Sequence, residues 1–351
     1  MSLPGSGDGP RVSDTGERAL IERIRRRLPP APSALLVGVG DDAAVAAPDR
    51  GALQVLTTDA LVEGVHFDRR FSSPADIGYK ALAVNISDVA SMGGAARFAL
   101  LSLILPPDTL VAHVDGLLDG LMELASASRV ALVGGNITRS PGPLIVDVTV
   151  VGSVKPRKIL KRDGAKPGDA LYVTGQLGAA AAGLEWLRAA SRDEPAEAER
   201  LARPDDPGLA ACVERHCRPE PRARLGALLG RNRAASACMD LSDGLADAVS
   251  QIACASGAGA AIDPALLPLH GGARAWFAAA GRDPVGACVA GGDDYELLFT
   301  VPRRARGRLR AVIREARGVP VTRIGEVTAG RSIGLLRDGT LEPLPAGFVH
   351  F

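Results

Sequence analysis

The chain has 351 residues, 46% hydrophobic and 3% aromatic, and its 41 Lys plus Arg against 40 Asp plus Glu leave a formal charge of +1. That length exceeds a single core and predicts two domains, while near-neutrality excludes a broad field for nucleic acid or an anionic membrane, so any anion must be captured locally. The five cysteines, all from Cys212 onward, are odd in number and unlike a disulfide framework, which fits a reducing cytoplasm.

Residues 1–13 read as a disordered leader, rich in Gly, Ser and Pro at its start and lacking the basic beginning and apolar centre of a signal peptide. Leu20, Ile21, Ile24 and Leu28 recur at helical spacing between Thr15 and Leu28, with Arg25, Arg26 and Arg27 on a solvated face. Leu53 to Thr57 and Phe98 to Leu105 read as strands around a helix from Ile77 to Ala90; Val130 to Val133 and Leu144 to Val151 add two more strands. The apolar stretches are too short to span a bilayer. A Lys, Arg, Gly and Pro-rich stretch at Lys155 to Asp169 marks a boundary, giving an N-terminal domain over 14–155 and a C-terminal one over 156–351.

Beyond it, Ala170 to Val173 reads as a strand, Gly178 to Leu187 as a tightly packed helix and Ala190 to Pro207 as a surface segment. Cys212, His216 and Cys217 have no second ligand pair at zinc-site spacing and are assigned to helix packing. Ala237 to Leu241, Ala260 to Asp263 and Leu297 to Val301 are strands, with Asp243 to Ser256 helical between the first two. Strands separated by helices, without a repeat, predict an α+β or α/β layer.

Acidic clusters beside Gly, Ser or Thr are the chemical signature: Asp41-Asp42, Asp59, Asp88, Asp240, Asp243 and Asp293-Asp294. Carboxylates placed where small residues admit a polyphosphate hold Mg²⁺ through oxygen ligands, and the cation neutralises phosphate charge. Gly38-Val39-Gly40-Asp41-Asp42-Ala43 superficially matches a dinucleotide fingerprint, but its aspartates would repel pyrophosphate without a cation. The chain has no Gly-Lys-Ser/Thr phosphate loop. Thr57-Thr58-Asp59 is read as the close of a strand, followed by Gly64, His66 and Phe67; Ser87 braces a turn while Asp88 is the metal candidate. Gly134-Gly135-Asn136 reads as a turn that lets phosphate approach, although a plain sharp turn uses the same glycines. Arg162 offers a two-pronged phosphate contact, with a surface arginine as the default alternative. Asp240-Leu-Ser242-Asp243-Gly244, at a strand-to-helix transition, is the most specific motif, since a helix N-terminus favours an anion while its acids require a cation. Ser242 also fits a plain N-cap.

In this order and spacing, from about Val37 to Phe351, the motifs resemble the thiamine-monophosphate kinase family of the aminoimidazole-ribonucleotide synthetase-like (PurM-like) ATP-binding superfamily. The resemblance implies a two-domain α+β fold, a homodimer pairing N-terminal sheets, and direct transfer of the ATP γ-phosphoryl group to thiamine monophosphate. It implies Mg²⁺ ligation by Asp42, Thr57, Thr58, Asp59, Asp88, Asn136, Asp240 and Asp243, with Asp42, Asp59, Asp88 and Asp240 at the catalytic centre. Gly135, Asn136, Arg162 and Ser242 are implied as ATP contacts, and His66, Asp293 and Phe348 as substrate contacts. Two positions depart from the family pattern: Asn136 stands where aspartate is common, and Asp293 where glutamate is. The alternatives are a sister enzyme of the aminoimidazole-ribonucleotide synthetase type and a non-catalytic nucleotide or thiamine-phosphate sensor. The missing N-terminal cysteine and the ending Phe348-Val349-His350-Phe351 argue against the selenophosphate synthetase and hydrogenase-maturation relatives.

Overall fold

The computed structural model describes residues 9–39, 43–191 and 204–347. Its chain divides into two units: one drawn from residues within 9–85, 96–153 and 188–191, the other from 86–95, 154–187 and 204–347.

The first unit opens with α1 (Val12–Thr15) and α2 (Glu17–Arg27), followed by β1 (Leu35–Val37), β2 (Val45–Ala46), β3 (Leu53–Val62), α3 (Pro74–Ser91), β4 (Ala95–Leu105), α4 (Val111–Ser128), β5 (Ala131–Arg139) and β6 (Ile145–Val154). Of the expected leader, residues 1–8 lie outside the described residues. Its end is ordered, with Arg11 bridged to Leu110 and Val12 N–H donating to Thr109 O at 2.9 Å. β3, β6, β4 and β5 form one sheet in that order, with β4 and β5 parallel. Alternation along β4 and β6 buries Leu101, Leu103, Leu105, Val146, Val148 and Val150, a period of two that leaves intervening residues half-buried. α3 and α4 cross at glycines: a Cβ on Gly78 would stand 1.9 Å from Leu117 O, and one on Gly120 1.7 Å from Ala75 O.

The second unit contains β7 (Ala170–Thr174), α5 (Ala179–Ala190), α6 (Pro207–Cys217), α7 (Ala223–Asn232), β8 (Ala237–Asp240), α8 (Leu245–Ser256), β9 (Gly259–Ile262), α9 (Gly271–Ala279), α10 (Pro284–Ala290), β10 (Leu297–Val301), α11 (Arg306–Ala316), β11 (Val321–Thr328), β12 (Ile333–Arg337) and β13 (Thr340–Pro343). Seven strands order as β13-β12-β9-β11-β7-β10-β8, antiparallel except for the parallel β12–β9 pair. The sheet is covered on both faces at β7, β10 and β8, so those strands are buried almost throughout, whereas β11 leaves Arg323 and Glu326 exposed. Val173, Met239 and Leu298 join one cluster with Val249 and Ile252 of α8, while Leu297, Phe299 and Cys238 join another with Leu229 of α7 and Val312 of α11. The α+β expectation holds.

Three local readings change. β5 continues through Gly134 and Gly135 instead of turning there, because β4 runs so close that a Cβ on Gly135 would lie 1.9 Å from Leu101 O. β3 runs on to Val62, placing Thr57, Thr58 and Asp59 inside a strand whose alternation persists to buried Leu61. α8 begins at Leu245, capped by Gly244 at φ 97° with no side-chain cap, so Ser242 is not its N-cap.

Candidate active site

In the second unit, the register pairing Leu297 with Asp240 sets the loop after β8 against the segment before β10. Three backbone hydrogen bonds lace them: Leu241 N–H to Glu296 O at 2.9 Å, Asp293 N–H to Ser242 O at 2.7 Å and Tyr295 N–H to Leu241 O at 3.0 Å. Glycines permit the approach, since a Cβ on Gly292 would fall 2.6 Å from Ser242 O and one on Gly244 2.7 Å from Gly291 O. Asp240 at the end of β8, and Ser242, Asp243 and Asp293 on the two interlocked loops, therefore lie at the start of α8, where the helix N–H groups favour an anion.

Ser87 Oγ, on the last turns of α3, donates to Asp240 Oδ2 at 2.6 Å, and both residues are buried. Asp88 follows it, half-buried. The paired acids Asp293 and Asp294 separate in role. Asp294 is buried and accepts from Gly178 N–H at 2.7 Å and Ala180 N–H at 3.3 Å, beside the start of α5. Burial pushes its carboxyl up to about 7, with Glu296 and Asp293 adding to the rise against those backbone donors. Asp293 remains half-buried, with Tyr295 Oη donating to its Oδ1 at 3.3 Å. Asp293 (φ 67°) and Tyr295 (φ 47°) are both left-handed, a conformation that costs a residue bearing a Cβ roughly 1–2 kcal/mol.

Arg162 is exposed on the flank of α8, hydrogen-bonded to Gln251, about 9 Å along the helix from Leu245 at 1.5 Å per residue. Its neighbour Gln251 donates to Asp247 at 2.5 Å. Gly347 lies against the same helix start, where a Cβ would be 2.9 Å from Asp243 O. Phe348, next in the chain, lies outside the described residues, as do Asp41 and Asp42.

In the first unit, Thr58 Oγ1 donates to Asp147 Oδ1 at 2.9 Å and meets Thr149 Oγ1 at 2.9 Å, so its side chain lies on the β6 face bearing those residues. Strand alternation turns Thr57 and Asp59 to the opposite face. Asn136 is exposed on β5, in register with Ser102. β6 and β4 intervene between it and β3, a separation of about 14 Å at about 4.8 Å per strand. This sheet by itself does not bring Asn136 beside Asp59. His66 Nδ1 accepts from Val62 N–H at 3.1 Å, which leaves the proton on Nε2 in the neutral ring.

Among the described residues, no group of three or more His, Cys, Asp or Glu side chains gathers around a point that would hold a metal ion. Mg²⁺ ordinarily takes one or two carboxylates, keeps water and completes its octahedron with substrate phosphate, so oxygen donors dispersed over laced loops suit a cation that arrives with a nucleotide. Beneath the Asp293 turn, sequence reasoning missed Thr174 and Arg222, and it assigned His216 to helix packing without seeing that it lies 3.5 Å from Asp293 Oδ2. Nothing in the local pattern around Arg222 signals a partner 74 residues away. Cys212 does sit in a helix, its Sγ 3.2 Å from His270 Nδ1, and burial pushes its thiol up to about 12.

The fold and loop chemistry define a class. The model of the AIR synthase related protein N-terminal domain matches residues 40–154, and that of the C-terminal domain matches residues 166–337. Within that class, the chain belongs to the thiamine-monophosphate kinase family. It is 39% identical to the thiamine-monophosphate kinase of Escherichia coli strain K12 over 344 residues, spanning 96% of this chain and 98% of that one. The crystal structure of thiamine-monophosphate kinase from Stenotrophomonas maltophilia K279a matches with a TM-score of 0.78 and 35% identity, covering 92% of this chain and 96% of that one. AaThiL, solved complexed with AMPPCP and TMP, matches with a TM-score of 0.74 and 32% identity over 98% of this chain and all of that one.

Proposed function

We propose that the protein transfers the γ-phosphoryl group of ATP directly to thiamine monophosphate, giving thiamine diphosphate and ADP. The end-to-end likeness to AaThiL, solved complexed with AMPPCP and TMP, carries this reading. Phosphoryl transfer asks a protein chiefly for alignment and charge neutralisation, which acids, hydroxyls and a helix N-terminus provide. The buried thiols of Cys212 and Cys288, both pushed up to about 12 by burial, remain protonated and unsuited to covalent attack.

By the family pattern, Asp42, Thr57, Thr58, Asp59, Asp88, Asn136, Asp240 and Asp243 hold Mg²⁺, which when bound neutralises phosphate charge. Gly135, Asn136, Arg162 and Ser242 contact ATP, and His66, Asp293 and Phe348 contact the acceptor. Asn136 offers only a neutral oxygen where a carboxylate is common, which weakens its share of metal binding. Asp293 keeps the charge of the family glutamate on a shorter arm. By the family resemblance the protein acts as a homodimer in the cytoplasm. Among its described residues no helix is long and apolar enough to cross a membrane.

Product analysis tests the reading. Purified protein with ATP, Mg²⁺ and thiamine monophosphate should yield thiamine diphosphate and ADP, and a control without Mg²⁺ should yield neither. ATP binding without product would overturn the kinase assignment.

A further inference from the structure

The left-handed backbone at Asp293 and Tyr295 must be fixed by contacts outside the turn. One short segment, residues 216–222, meets it at both ends. At the first end, His216, buried on the last turn of α6, brings Nδ1 to 3.5 Å from Asp293 Oδ2, a packing approach longer than a hydrogen bond, so this end is the weaker of the two. At the other, Arg222 holds Glu296 two-pronged: Nε donates to Oε2 at 2.6 Å and the NH2 group to Oε1 at 2.5 Å, with both residues buried. Thr174 Oγ1 donates to Oε2 at 2.5 Å. Gly175 leaves the space the carboxylate fills, since a Cβ there would stand 1.9 Å from Oε1. A fold has little need of such a pair, because desolvation offsets much of the attraction and well-packed apolar side chains serve stability as well. A planar fork supplies orientation instead.

We infer that Arg222 is a positioning residue: with His216 it forms a two-point clamp that sets the angle at which Asp293 meets the acceptor. The inference rests on the proposal that Asp293 contacts thiamine monophosphate.

The test is steady-state kinetics on the full chain, varying each substrate at saturation of the other. Arg222→Lys keeps the charge and loses the fork. Arg222→Met with Glu296→Met replaces the pair by apolar side chains and guards against a simple folding failure, checked by circular dichroism and thermal melting. His216→Gln loosens the second point. Each should raise KM for thiamine monophosphate about ten-fold while KM for ATP and kcat stay within about two-fold, and none should add to the effect of Asp293→Ala. If Asp293→Ala leaves that KM unchanged, the acceptor reading of Asp293 falls and the clamp with it. If Asp293→Ala raises it and the clamp variants do not, or they raise both KM values alike, only the clamp falls. Failure of the paired methionine variant to fold also overturns the clamp, because the pair is then a requirement of the fold.

Discussion

Ser87 donates a hydrogen bond from its hydroxyl to Asp240, and a hydrogen bond to a charged acceptor contributes about 1.5–3 kcal/mol. Ser87→Ala frees that carboxylate to rotate and should raise the Mg²⁺ concentration for half-maximal rate about ten-fold with folding retained; a Mg²⁺ titration of initial rates, alongside metal binding by calorimetry, checks it. Asp294 yields a prediction of opposite character. Its folded value, about 7, exceeds the unfolded 3.8, so its contribution to stability is full below about pH 3.8 and is lost as pH rises towards 7. Asp294→Asn removes that titration and should flatten the fall in melting temperature between pH 4 and pH 7. The sequence displayed Asp293-Asp294 as adjacent equals and singled out only the first for the substrate. What it could not display is why the second differs: two backbone N–H groups near the start of α5, brought from more than a hundred residues earlier in the chain.

At the level of elements, the legible parts were those with an unbroken local period. The amphipathic pattern of α2, the alternation of β4 and β6 and the apolar run of β10 all follow from side chains within one element. β5 was cut short because glycine pairs ordinarily mark turns, and only the neighbouring strand explains why Gly135 belongs inside one. The same close-approach logic makes a prediction for the helix pair of the first unit. Gly120→Ala would drive a methyl group to within 1.7 Å of Ala75 O, so α4 must move away from α3. Overpacking of this kind costs typically 1–3 kcal/mol or more, and thermal melting should show a fall of several degrees. Exposed Gly142, with nothing within 4 Å of its own added Cβ, serves as the control, since Gly142→Ala should leave the melt nearly unchanged.

The two-domain organisation follows from length and composition, but the sequence gives no sign that the second unit is discontinuous. Residues 86–95 belong to it, although unit one resumes after them. Ser87 reaches Asp240; Leu160 N–H donates to Met92 O at 3.1 Å; and Gly226 and Gly230 of α7 let residues 90–93 lie so close that a Cβ on Gly226 would stand 2.1 Å from Ala90 O. A fragment beginning at residue 154 keeps the whole seven-stranded sheet yet lacks this insert. It should therefore show a markedly lower melting temperature than the second unit does within the intact chain, and gain stability when a peptide covering residues 74–95 is added. Synthesis meets the same constraint in time. Residues 86–95 leave the ribosome more than a hundred residues before α7, a delay on the order of ten seconds at typical elongation rates. The apolar side of this segment must wait for a partner that has not yet been made, so its burial against α7 is a late event in the chain's own synthesis.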